Sequence, residues 1–282
     1  MSEIENTKVT ELFKQWRSGK AESGQVLAQR VSDWFYAICS SRYGDELGLP
    51  VFQSASRKFG EGIVSVAHST DLIPWAHGLL CAEIQKNGLT PTSANIASPY
   101  SGGHPPVDLL YAAKSALPAE VDLLNAFFTG KADTEIEELA LDLGGMPGAL
   151  LHARYTVKQW LKTEYQLPFG VTPENPNIDL FPLPMYEANR MANEGEISGF
   201  EKWMLDNREL CQDVAEFGPF SSALRAGLPD KTESSDIPST PTPVSTEQRL
   251  VLGITNLTFV LGILLVLVSL SAFAFIVAFS ME

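Results

Sequence analysis

Residues 138–161 read ELALDLGGMPGALLHARYTVKQWL, and the fold turns on how this stretch is read. Apolar residues at helical spacing run up to Leu143, where Gly144-Gly145-Met146-Pro147-Gly148 interrupts them, and a second periodic segment begins at once. Two helices joined by a short Gly-containing turn make a helix-turn-helix, a shape that commonly lays its second helix in the major groove of DNA. The charge does not suit that task. Before Leu161 the second segment offers only His152, Arg154 and Lys158, within a chain of 282 residues whose formal net charge is −14.

Working outward, the neighbouring segments are helical as well. A helix opens at Leu117-Pro118, a turn falls at Thr129-Gly130-Lys131, and Asp133 or Thr134 caps the short helix that leads into the quoted stretch. Upstream, Leu12 and Trp16 and then Val26, Leu27, Val31, Trp34, Phe35 and Ile38 keep helical spacing. A further stretch over 51–67 carries Phe52, Ala55, Phe59, Ile63 and Val66, and a third runs from Asp71, a candidate N-cap, to the stop pair Asn87-Gly88. Pro-rich loops at 90–106 and 168–184 separate these blocks from a last helix pair over 185–227. No strand alternation stands out, so the expected fold class is all-α. The aromatic residues Trp16, Trp34, Phe35, Tyr36, Phe59 and Trp75 fall at core positions of that pattern.

Taken as one unit, 117–161 resembles region 4 of sigma factors of the extracytoplasmic-function type. Leu117, Pro118, Leu123, Leu124, Gly130, Glu138, Leu139, Ala140, Leu143, Gly144 and Gly148 fall in register with that pattern. LFKQWRSGKAESGQVL (12–27) looks like the opening of region 2, with Lys20 in place of the common acid, and DLIPWAHGLLCAEIQKNG (71–88) is similar to the region-2 helix, with Trp75 near its start. The resemblance implies a region-2-like helical domain over 8–88, a linker over 89–106 and a region-4-like helix-turn-helix domain over 107–166. Residues 182–227 resemble the cytoplasmic domain of zinc-finger-like anti-sigma proteins, which implies an anti-sigma-like helical domain over 180–228. There Glu201 and Leu205 fit. Trp203 stands where the His ligand belongs, Asn207 where a Cys belongs, and Cys211 is one position out of step. Zinc needs about four N/S ligands, so no metal and no other cofactor is expected.

From Leu250 to Met281 no residue is charged. About 20 apolar residues span a bilayer, so a transmembrane helix is expected over 249–280, flanked by Arg249. The Pro-, Ser- and Thr-rich segment 229–248 reads as a disordered tether. The expected arrangement is a C-terminal single-pass anchor in the cell inner membrane with the body in the cytoplasm. Cys39, Cys81 and Cys211 are too far apart for a disulfide framework and are expected as buried, reduced thiols.

A working region 4 needs cations on its second helix to hold phosphates and base edges. Across 117–162, seven acids (Glu120, Asp122, Asp133, Glu135, Glu137, Glu138, Asp142) face four bases (Lys131, Arg154, Lys158, Lys162). That excess of acid would repel DNA, so DNA binding is expected to be weak or lost. The candidate contact face is Leu150, Leu151, His152, Arg154, Tyr155, Lys158 and Lys162. Leu150, Leu151, Tyr155 and Trp160 give it an apolar character that marks a protein contact, and residues 182–227 could supply the partner in cis. Glu201, Trp203, Leu205 and Cys211 are the corresponding residues of the anti-sigma-like helix. His68 and His77 could share a helical surface but lack a third ligand. No phosphate loop, nucleophile triad or catalytic acid pair appears, so neither an enzyme nor a small-molecule substrate is expected. The expectation is a membrane-anchored, sigma-like regulator acting through protein contacts, with RNA polymerase core or a sigma-system component as partner. The alternatives are a latent transcription factor released by proteolysis and a structural subunit of a membrane complex.

Overall fold

The computed structural model describes residues 7–89, 106–170, 180 and 182–228. They form ten α-helices and no strand: α1 (Val9–Arg17), α2 (Ala21–Gly62), α3 (Leu72–Lys86), α4 (Pro106–Ala116), α5 (Pro118–Phe128), α6 (Asp133–Leu141), α7 (Gly148–Glu164), α8 (Pro182–Glu187), α9 (Glu194–Asp206) and α10 (Arg208–Ala226). The all-α expectation therefore holds for these residues. Most of the linker 89–106, the tether 229–248, the segment 249–280 and Arg249 lie outside them. Among the described residues no helix is long and apolar enough to cross a membrane.

The helix-turn-helix unit follows its sequence closely. Pro118 occupies the first turn of α5, where its missing N–H costs nothing. Asp133 and Glu135 lie in the first turn of α6, at the positive end of the helix dipole. Ala132 rather than Asp133 or Thr134 occupies the N-cap. Gly144 and Gly145, with φ of 94° and 82°, turn the chain from α6 into α7 in a conformation that side chains with a Cβ resist. Asp71 precedes α3 as expected but forms no capping hydrogen bond through its side chain.

α2 is not straight. Gly44 has φ 74° and ψ 164°, a conformation open essentially to glycine alone. The rings of Phe35 and Phe59 lie 6.2 Å apart and those of Tyr36 and Phe52 5.6 Å apart. On one straight helix, residues 35 and 59 would be separated by about 36 Å. Gly44 thus folds α2 back into two antiparallel arms; of the stretch expected over 51–67, the part up to Gly62 belongs to the second arm, and Ile63–Ser65 form a 3-10 turn after it.

Residues 182–228 make three helices rather than a pair, and they build no core of their own. Leu183, Tyr186, Leu210, Cys211 and Val214 join Trp34, Phe35, Ile38 and Leu80 in one apolar cluster. Ala188, Phe217, Phe220, Ala223 and Leu224 join Leu110, Leu124, Phe127 and Leu161 in the other. α7 divides in the same way, with Leu151 and Tyr155 in the first cluster and Leu150, Ala153 and Val157 in the second. The physical reason is that α7 and α10 carry apolar residues around more than one face, and each face needs cover.

Candidate functional site

α7 is the helix on which a sigma-like reading depends, and its cations are turned inward. Arg154 is fully buried and Lys158 is 1% exposed. The Arg154 guanidinium grips Glu187 of α8 with two bonds, Nε to Oε2 at 2.8 Å and Nη2 to Oε1 at 2.7 Å. Its Nη1 donates to Asp213 Oδ2 of α10 at 2.9 Å, and Tyr155 Oη donates to the same oxygen at 2.8 Å. Lys158 pairs with Asp213 and, at 2.6 Å, with Glu216. The Arg154 guanidinium also lies 4.6 Å from the ring centre of Phe217.

Burial and pairing compete at each charge. Burial pushes the Glu187 carboxyl above its usual range, and Arg154 offsets this only in part. For Asp213 burial acts in the same direction, but Arg154 and Lys158 outweigh it and hold the carboxyl below the usual range. Burial would lower the Arg154 pKa, yet Asp213 and Glu187 together keep it raised. Arg225 of α10 donates to the Glu187 carbonyl, and burial brings its pKa down to about 10.

The remaining residues of the expected contact face separate. Leu150, Leu151 and Tyr155 are buried rather than exposed, so they make no surface patch. Lys162 donates to the Gly170 carbonyl at 2.7 Å. His152 is exposed, and Trp160 is half-buried against Tyr165. What faces outward beside the α6–α7 turn is Leu141, 72% exposed, and Met146, 36% exposed, with Glu137, Glu138 and Asp142 also exposed.

The anti-sigma-like residues divide likewise. Trp203 is 41% exposed, while Leu205 and Cys211 are buried in the first core cluster. Glu201 is the centre of a second polar cluster. Its Oε2 lies 2.6 Å from His77 Nε2 of α3, and its Oε1 accepts from Tyr186 Oη at 3.0 Å and from Arg42 Nη1 of α2 at 3.3 Å. The Trp34 indole N–H donates to the Glu201 carbonyl at 2.6 Å. His77 therefore faces α9, and His68, in the turn before α3, does not share its surface. Cys39 and Cys211 are buried, but Cys81 is exposed, against the expectation for all three.

Glu187, Asp213 and Glu216 escape sequence reading because they lie far along the chain from Arg154 and Lys158. A usable signal does exist. Arg154 and Lys158 interrupt the apolar run Leu150, Leu151, Ala153, Val157 and Leu161, and Asp213 interrupts Leu210, Val214 and Phe217. Charges of opposite sign inside two apolar stripes are candidates for each other. Among the described residues no group of three or more His, Cys, Asp or Glu could hold a metal ion.

No family model matches the chain, and no curated protein or solved structure matches it either.

Proposed function

We propose that this chain is a membrane-anchored, sigma-factor-like regulator that works through protein contacts, with RNA polymerase core or a sigma-system component as its partner. The observation that carries this reading is the burial of Arg154 and Lys158, whose side chains are 0% and 1% exposed and paired with Glu187, Asp213 and Glu216. Cations held in this way are not free to neutralise phosphates, and phosphate contacts supply much of the affinity of DNA-binding proteins. The outward side of the turn, with Leu141 and Met146 among acidic residues, suits a protein partner better than a polyanion. Membrane attachment rests on the uncharged run from Leu250 to Met281, with the body on the cytoplasmic side.

The latent-factor alternative requires α7 to be uncovered when the tether is cut. Phe217, Phe220 and Leu224 of α10 lie inside the same core cluster as α5 and α7, so the cover over α7 is part of the fold. The test is binding of the detergent-solubilised full-length chain to mixed-sequence and promoter duplexes at low salt. No salt-dependent binding is expected, and a steep fall of affinity with salt would overturn the reading in favour of the latent factor. Co-purification from membranes then identifies the partner. Recovery of polymerase or sigma-system subunits is expected, and a stoichiometric membrane assembly without them would favour the structural-subunit alternative.

A further inference from the structure

Cys81 lies one helical turn after His77 on α3, and the two side chains meet. Its sulfur is exposed and sits 3.7 Å from His77 Nδ1, while the other ring nitrogen faces Glu201 at 2.6 Å. Glu201 is itself fixed by Arg42, Tyr186 and the Trp34 indole at its backbone carbonyl. The imidazole is thus held from one side by a buried carboxylate, and the thiol, open to solvent, lies beside its ring, 3.7 Å from Nδ1 and 4.0 Å from Nε2. A thiol beside an imidazolium is one of the settings that favour the reactive thiolate. The other two thiols lack this setting. Cys39 and Cys211 are buried, and burial raises both, Cys39 to about 12.

We propose that Cys81 is a reactive thiol site, with His77 as the cation beside it and Glu201 as the group that positions His77, and that it is oxidised by hydroperoxides to a sulfenic acid. The thiol proton passes to solvent, and the thiolate sulfur, beside the protonated His77 ring, attacks the nearer peroxide oxygen. An S–O bond forms as the O–O bond breaks. The sulfur loses two electrons to the peroxide, and the His77 imidazolium gives a proton to the departing oxygen, which leaves as water or an alcohol, and is reprotonated from solvent. The charges of the cluster are paired, Arg42 with Glu201 and the His77 imidazolium with the Cys81 thiolate. In keeping with this, hydrogen bonding to Cys81 and Glu201 raises the His77 pKa to about 9, so the ring is a cation at neutral pH. The site does not depend on what the helix-turn-helix binds.

The experiment treats the purified full-length chain with hydrogen peroxide at pH 6.5, traps sulfenic acid with dimedone and locates the adduct by peptide mass mapping. The expected adduct is on Cys81 and not on Cys39 or Cys211, and H77N is expected to slow its formation at least tenfold. Alkylation of Cys81 by iodoacetamide in the wild-type chain provides a measurement that needs no variant to fold. It should be at least tenfold faster in the native than in the guanidinium-unfolded protein. No adduct on Cys81, an equal rate in H77N, or equal alkylation of native and unfolded chain would each overturn the proposal.

Discussion

Single residues decide whether the interior of this protein is affordable to charge. Arg154 touches two carboxylates, and its loss strands Glu187 in a site closed to water, while Asp213 keeps Lys158 and Tyr155. Arg154→Met should destabilise the fold by about 3–5 kcal/mol, measured as a shift of the urea midpoint at unchanged slope. Adding Glu187→Leu should recover part of that loss, because an apolar pair replaces an unpaired buried charge. His77 makes a pH prediction. Its pKa rises from 6.5 unfolded to about 9 folded, so the protonated form favours the native state. Its contribution is fully present below pH 6.5 and is lost as pH climbs through about 9. Thermal melts should therefore fall between those pH values in the wild type and stay flatter in His77→Gln. At this scale sequence reading found the actors but not their pairings. Arg154, Lys158 and Glu201 were singled out, yet nothing local says that Glu187, Asp213 or His77 will meet them.

At the scale of elements, agreement is closest where the determinants are local. Pro118, Gly130, Gly144 and Gly148 mark the ends of α5, α6 and α7 within three residues, since turn chemistry acts over a few positions. The reversal in α2 was only half legible. Periodicity separates the stretch ending at Ile38 from the one starting at Phe52, but gives no sign that one glycine between them returns the chain on itself. Gly44→Ala should cost about 1–3 kcal/mol from backbone strain alone. Its Cβ would also come within 2.7 Å of Ser222 Oγ on α10. Gly218→Ala tests the same helix crossing from the other side, since a Cβ there would lie 2.9 Å from the Ser41 backbone nitrogen. Calorimetric melting temperatures should drop for both, whereas Gly60→Ala, which meets nothing within 4 Å, should leave the melt unchanged or raise it.

Across the whole molecule, the blocks that the sequence divides into three are joined through α7, α8 and α10. Loops rich in Pro, Gly and Ser are visible in one dimension. Which helix fills which groove is not, because the pairing of apolar faces is settled by shape and not by spacing. The N-terminal cluster contains Leu210 and Val214, so it cannot close until α10 exists. On a ribosome adding about 5–20 residues per second, the stretch from the end of α3 to the end of α10 takes on the order of 10 s. For that interval α2 and α3 leave the exit tunnel with apolar surface still awaiting its cover. Stalled nascent chains ending near residue 170 should be cut rapidly by protease within α2, and chains extended beyond residue 260, with α10 clear of the tunnel, should resist. Synthesis of this protein therefore has a vulnerable window, and its length is set by where α10 lies in the gene.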